Sequence, residues 1–282
     1  MSIAYLNGRY LPLAEARVSV LDRGFLFADG VYEVVAVYRG KIFAWDLHWA
    51  RLCHSLAALQ IPLTLAEREW LEIVAELIQK SKLDYLTVYL QITRGSEDSR
   101  NPYYQDAIQP TLFATVSPLS LHSIQDIKPT RVISQPDYRW SQCNIKSIGL
   151  LPNVMARQVA YRQGATEALL IRDGQVNEGA SSNLFIVKNN TLITPPLSPL
   201  ILPGITRQVT LELAERHHIP VELRNFNLAE VHSADEVWIT STGREIQPVI
   251  QVDDKAINQG RVGTLWPQMI QYLYDYKKEV LV

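Results

Sequence analysis

Cysteine is nearly absent from this 282-residue chain, which has only Cys53 and Cys143. A disulfide framework needs more of them, so the two read as reduced, half-buried thiols of a cytosolic protein. No apolar run approaches the roughly 18 residues that a membrane span requires. A signal peptide would need an unbroken apolar core where MSIAYLNGRY places Asn7-Gly8. Charge of one sign is lacking too. The 27 Lys and Arg stand against 29 Asp and Glu, a formal net charge of -2 with no basic stripe, which speaks against nucleic acid as the main partner. Several familiar chemical signatures are also missing. The 13 glycines never fall into GxGxxG or GxxxxGKS/T, so a dinucleotide or P-loop site has no support. The six histidines include no HExxH, and His217-His218 point to different helix faces, so no metal is expected. A GxSxG elbow is absent as well. What remains is polar chemistry distributed over loops and strand ends.

The material for a core is ample, with 47 % hydrophobic and 20 % charged residues. Five dipeptides separate apolar runs as hairpin turns do: Asn7-Gly8, Arg39-Gly40, Asp173-Gly174, Asn189-Asn190 and Asp253-Asp254. Much of the sheet should therefore be antiparallel. Helical periodicity appears from Asp46 to about Leu59. It appears again after Thr64 and Glu67, which read as a capping box ahead of Trp70, Ile73, Val74, Leu77 and Ile78. Further helices are expected over 153–163, 205–217 and 263–277, and Asn227 with Glu230 caps a short one. The polar stretch SPLSLHSIQDIKP, with a proline near each end, reads as a linker. The expected organisation is a small α+β domain over 1–118, a linker over 119–128 and a larger domain over 129–282.

Four stretches carry residues suited to chemistry. Lys146 lies in CNIKSIGLLPNVMARQ, just ahead of a helix. Alone it reads as a surface lysine, as most lysines are. Semi-buried, with desolvation favouring the neutral amine, it suits Schiff-base formation. Glu178, in VNEGASSNLFIV, alone reads as a solvated hairpin carboxylate. Beside a pyridine ring it would keep the ring nitrogen protonated and make the ring an electron sink. In LPGITRQVTLELAERH, Gly204 opens a helix whose first amides, at Ile205 and Thr206, join the Thr206 hydroxyl as an anion site. A capped helix with no ligand would look the same. EVWITSTGREIQPV ends a strand in Ser241-Thr242-Gly243, which suits either the far side of a phosphate cup or a plain turn.

In this order and spacing the four stretches resemble the class IV aminotransferases, pyridoxal-phosphate enzymes of fold type IV, from Tyr5 to about Val252. DRGFLFADGVYEVVAVYRG is similar to the D-amino-acid aminotransferase branch, in which a DG-VYEV signature follows a DRG motif. The resemblance implies a two-domain α+β enzyme with a largely antiparallel or mixed sheet in its large domain. It implies ping-pong exchange of an amino group between a small, D-alanine-like amino acid and a 2-keto acid such as pyruvate or 2-oxoglutarate. Lys146 would bind the cofactor and move the α-proton, and Glu178 would contact the ring nitrogen. Arg51 would clasp the phosphate, with Ile205 and Thr206 at the helix terminus and Ser241 and Thr242 opposite. Arg139 and Tyr32 would line the site, Tyr32 near the substrate carboxylate. Members are homodimers, with the active site at the domain and subunit interface. This sequence departs from the branch in one place. The branch's R-N-H run after ITRG becomes ITRGSEDSRNPYY, where Arg100-Asn101 match with one inserted residue and Pro102 takes the histidine position. Arg100, reaching across the dimer, would hold the carboxylate with Tyr32, and Arg244 is a second candidate cation.

Three rivals carry other expectations. A lyase resembling aminodeoxychorismate lyase more often shows F-E-T where this chain has Tyr32-Glu33-Val34. A branched-chain L-amino-acid or (R)-amine aminotransferase shares the scaffold. A cofactor-binding protein without turnover would not need Lys146, Glu178, Arg51 and Thr206 all intact.

Overall fold

All five turn dipeptides close antiparallel hairpins in the computed structural model, which describes residues 3–120 and 123–281. All of these residues except Asp254 take positive φ, for example 46° at Asn7 and 87° at Gly8. The chain divides into two compact units. One holds residues 3–120 together with Ile145–Gly149, and the other holds 123–144 and Leu150–Val280. The five residues around Lys146 thus pack with the first unit, although they lie within the sequence of the second. Leu121 and His122, inside the expected linker, lie outside the described residues.

The first unit is a six-stranded antiparallel sheet backed by two helices. Its strands are β1 (Ile3–Leu6), β2 (Arg9–Pro12), β3 (Gly30–Tyr38), β4 (Lys41–Ile42), β5 (Tyr85–Thr93) and β6 (Thr111–Pro118), in the order β2-β1-β6-β5-β3-β4. Helix α1 (Arg23–Phe27) is one short turn, while α2 (Trp45–Ala58) and α3 (Glu67–Ser81) are full helices. Alternation along β5 turns Leu86, Val88, Leu90 and Ile92 to the core and leaves Tyr85, Thr87, Tyr89 and Gln91 half-buried on the other face. The buried face of α3, Trp70, Ile73, Val74 and Leu77, recurs at helical spacing and joins the same core. Each such side chain contributes roughly 1.5–3 kcal/mol on burial. The exposed Arg68–Glu72 pair of α3 adds about 1 kcal/mol at most, so packing sets this helix in place. The cap of α3 differs from the sequence expectation. Glu69, not Glu67, reaches back, and it does so to the Ala66 amide at 2.7 Å. Two acidic residues precede the apolar run, and the helix starts two residues later than a Thr64 cap would place it.

The second unit is built on β7 (Thr130–Pro136), β8 (Glu167–Arg172), β9 (Gln175–Gly179), β10 (Asn183–Lys188), β11 (Thr191–Thr194), β12 (Val221–Leu223), β13 (Glu236–Ser241), β14 (Glu245–Val252) and β15 (Lys255–Ala256). The order is β12-β11-β10-β13-β14-β7-β8-β9, with β15 paired to β14. Three contacts are parallel, β7 with β8, β7 with β14 and β11 with β12, so the sheet is mixed. Two of them need crossovers, supplied by α4 (Leu151–Arg162) and α5 (Ile205–Arg216). Helix α4 starts two residues before expectation because Pro152 is tolerated in a first turn. The short α6 (Leu228–His232) carries the anticipated Asn227–Glu230 box, and α7 (Leu265–Val280) closes the unit. Each unit combines helices with a sheet, an α+β organisation in two units. Among the described residues no helix is long and apolar enough to cross a membrane.

Candidate active site

In the first unit the residues around Lys146 are stitched to β3 by an isolated antiparallel bridge. The Tyr32 amide donates to the Lys146 carbonyl at 3.0 Å, the Ile148 amide donates to Gly30 O at 3.0 Å, and Val31 bridges Ser147. The Lys146 amide donates to the hydroxyl of buried Ser55 on α2 at 3.1 Å. Backbone position is therefore fixed from both sides while the side chain stays half-buried. Its ammonium sits 4.2 Å from the Tyr32 ring centroid. Tyr32 stacks on Tyr89 at 5.7 Å, and the Tyr89 hydroxyl donates to Gln91 Oε1 at 2.7 Å. Burial, with Tyr32 adding to it, pushes the Tyr89 phenol up to about 12, so it remains a donor.

Strand alternation sends the next residue, Glu33, to the opposite face. Arg51 grips it bidentately, Nε to Oε1 at 2.7 Å and Nη2 to Oε2 at 2.8 Å, and His48 Nδ1 lies 2.7 Å from Oε2. His48 and Arg51 are three apart on α2 and share its inner face. Burial alone would raise the Glu33 carboxyl, but Arg51 and His48 outweigh it and hold it down at about 2. Burial depresses His48, which favours the neutral ring. The structure thus commits two of the three guanidinium nitrogens of Arg51 to Glu33, a partner the sequence reading had not assigned.

In the second unit Glu178, on β9, is 3 % exposed. Its carboxylate accepts from Arg139 Nη1 at 2.5 Å, from Asn183 Nδ2 at 2.9 Å and from the Leu202 amide at 3.2 Å. Arg139 is shared: its Nε and Nη2 both donate to Asp137 at 2.9 Å. Two buried carboxylates therefore compete for one guanidinium, and burial pushes Glu178 up to about 7 despite Arg139. A group left short of positive charge in this way is suited to a cationic ring nitrogen. Arg139 is placed as the support of Glu178.

Asn183 is the hinge of this region. Besides Glu178 it donates to Leu202 O at 2.9 Å, and β10–β13 register sets it opposite Thr240, next to Ser241. Its Oδ1 would lie 1.8 Å from a Cβ at Gly204, so only glycine admits the chain to α5 here. Gly204, the N-cap of α5, has no side chain to offer its first turn. Ile205 and Thr206 are buried; Ser241 ends β13 and Thr242 follows it, both half-buried. The sequence reading passed over Arg207, which is buried in the first turn of α5 and donates to Pro195 O at 2.8 Å. Arg244 is turned onto Thr166 O at 2.8 Å, with Glu167 at 3.9 Å. Arg100 is exposed, with its guanidinium 4.9 Å from the Phe27 ring centroid.

The first unit thus holds a half-buried amine on a fixed backbone, and the second holds a buried carboxylate short of positive charge and a helix that opens on a glycine, residue types that each suit pyridoxal-phosphate chemistry. Comparison agrees: the family model described as amino-transferase class IV matches residues 30–252. The chain is 40 % identical over 259 residues to a D-alanine aminotransferase of Bacillus licheniformis, covering 92 % of this chain and 91 % of the relative. It is 36 % identical over 272 residues to a D-alanine aminotransferase of Listeria monocytogenes, covering 96 % and 94 %. The fold matches a T.th. branched-chain amino acid aminotransferase solved with pyridoxamine 5'-phosphate, at a TM-score of 0.89 and 23 % identity over 99 % and 94 % of the two chains. The chain belongs to the class IV aminotransferases, and its cofactor is pyridoxal phosphate.

Proposed function

We propose that the protein moves an amino group between a small D-amino acid, D-alanine or close to it, and a 2-keto acid such as pyruvate or 2-oxoglutarate. Full-length similarity to D-alanine aminotransferases carries the substrate assignment. When bound, the cofactor supplies an electron sink that lets the amino acid's α-proton leave. Lys146 would hold the cofactor through its amine and would move the proton at the substrate's α-carbon. Glu178 keeps the ring nitrogen protonated, and Arg139 and Asn183 orient its carboxylate. The amides of Ile205 and Thr206, the Thr206 hydroxyl, Ser241, Thr242 and Arg51 hold the phosphate, with Arg207 adding positive potential. Tyr32 and Arg100 bind the substrate carboxylate, Arg100 from the other copy of a homodimer. Arg244 is the comparison for that role. In the cytoplasm, where this reading places the enzyme, Cys53 and Cys143 stay reduced; both are unpaired.

The test is to supply cofactor-loaded protein with D- or L-alanine and 2-oxoglutarate and to measure pyruvate and glutamate. Equal yields of both, from D-alanine alone, are expected. Activity restricted to L-amino acids, or pyruvate released from a substrate without an acceptor, would overturn the reading.

Arg51 carries a separate expectation, because it has a structural partner as well as a proposed ligand. Arg51→Ala strands buried Glu33, which should cost about 3 kcal/mol of stability and hasten cofactor loss on dialysis. Glu33→Gln with Arg51→Leu removes both charges and should recover much of the stability without recovering cofactor retention. If the double variant holds cofactor as firmly as the parent, Arg51 serves Glu33 alone.

A further inference from the structure

The loop from Arg94 to Gln109 has almost no regular structure, yet its backbone is gripped at one point. Gly95 opens it at φ 104°, where a Cβ would lie 1.9 Å from Gln109 O. Arg23, in the short helix α1, then donates Nη1 to Glu97 Oε2 at 2.8 Å, to Asn101 O at 2.7 Å and to Tyr103 O at 3.2 Å. Its Nη2 donates to Pro102 O at 3.0 Å. Three consecutive carbonyls converge on one guanidinium, an arrangement a planar fork of donors satisfies and an ammonium does not. The remaining nitrogen, Nε, donates to Asp29 at 3.0 Å. Asp29 also binds Arg94, which continues to the carbonyls of Leu59 and Gln60 just after α2. Arg23 is 3 % exposed and touches no residue assigned to the cofactor.

The consequence for Arg100 is electrostatic as well as geometric. Glu97 is the half-buried acid of the SEDSR stretch, and Arg23 consumes its charge. Arg100, three residues on, forms no ion pair among the described residues and rests on Phe27, whose ring lies 4.9 Å from the Arg23 guanidinium on the same measure. An exposed arginine beside Glu97 and Asp98 is thereby kept available for a carboxylate that arrives from elsewhere. Pro102, which has no side-chain donor, contributes its carbonyl to the grip instead.

We propose that Arg23 is a positioning residue for substrate recognition: it fixes the 97–103 backbone and withholds Glu97 from Arg100, so that Arg100 meets the substrate carboxylate. The proposal rests on the carboxylate role given to Arg100 above. The experiment compares Arg23→Lys, Arg100→Ala and the double variant, cofactor-loaded, with D-alanine and with a simple primary amine that has no carboxylate. Arg23→Lys should raise KM for D-alanine about tenfold while kcat changes by less than about twofold, and the double variant should be no worse than Arg100→Ala. The amine should be handled as by the parent. Equal impairment of both substrates, or an effect that adds in full to that of Arg100→Ala, would make Arg23 a structural residue only and overturn the proposal. An unchanged KM in Arg100→Ala overturns the carboxylate role itself, and this proposal with it. If Arg23→Lys does not fold, Glu97→Gln carries the test, because it leaves Arg23 on Asp29. It also leaves Arg23 on the three carbonyls, so KM for D-alanine should stay within about twofold of the parent, and a clearly lower KM would show Glu97 competing for Arg100 in the parent and overturn the proposal.

Discussion

Lys146→Ala is expected to abolish transamination, with kcat lower by about 10⁴-fold or more, the upper end of what one general acid–base contributes. In the proposed mechanism the same residue both anchors the cofactor and moves the proton, so its loss removes both roles at once. The visible absorption band of the lysine-bound cofactor should vanish after dialysis. The fold should survive, because what position 146 gives the first unit is backbone. Its carbonyl accepts from Tyr32 and its amide donates to Ser55, and alanine keeps both bonds. The side chain contributes mainly its contact with the Tyr32 ring, worth about 0.5–1 kcal/mol. Circular dichroism and thermal unfolding should therefore match the parent closely. A variant that retains the native band places the cofactor on a different lysine.

The hairpins were legible because each is decided within a few residues. Asn7-Gly8 or Asp173-Gly174 tolerates positive φ on its own account, whatever surrounds it. Helical faces were legible for a similar reason, since Trp70, Ile73, Val74 and Leu77 state their own period. The cap of α3 was misplaced because Glu67 and Glu69 both precede that run, and only the packed helix selects between them. Parallel pairings such as β14 with β7 join residues more than a hundred apart, and no local pattern announces them.

For the candidate site, residue types were legible and their surroundings were not. Lys146 and Glu178 were singled out from their own short contexts. Ser55 on α2, which orients the backbone of Lys146, lies 91 residues away in sequence. Asp137, which takes up most of Arg139 and so leaves Glu178 short of positive charge, precedes Glu178 by 41 residues and sits on another segment. A charged residue in a mostly apolar strand, as Glu33 is in GVYEVVAVY, is a usable signal that a buried partner must exist. Its identity, Arg51 with His48, needed the helix to be in place.

Glu178→Gln is expected to separate cofactor binding from chemistry. In the protein without cofactor Glu178 titrates at about 7 instead of its ordinary 4.5, because burial disfavours its charge more than Arg139 restores it. The folded chain thus keeps a proton that the unfolded chain releases, a contribution complete below 4.5 and lost as pH rises through 7. Glutamine does not titrate. The stability of the cofactor-free parent relative to the variant should therefore fall as pH rises from about 5 to about 8. In the proposed site Glu178 would face the cofactor's ring nitrogen, and a proton held there would favour the ionised carboxylate. A neutral amide cannot hold that proton in place, so the ring loses its strength as an electron sink. We expect kcat with D-alanine to drop by about 10²–10³-fold, the scale set by removing one preorganised charge partner from a water-poor site. Retention of cofactor should change little, because Lys146 and the start of α5 are untouched. The glutamine oxygen can still accept from Asn183 or Leu202, and Arg139 remains paired with Asp137. Single-turnover bleaching of the visible band measures the chemical step, and dialysis measures retention. Parent-like rates with bound cofactor would remove Glu178 from the ring nitrogen, and loss of cofactor at an unchanged rate constant would make it an anchor.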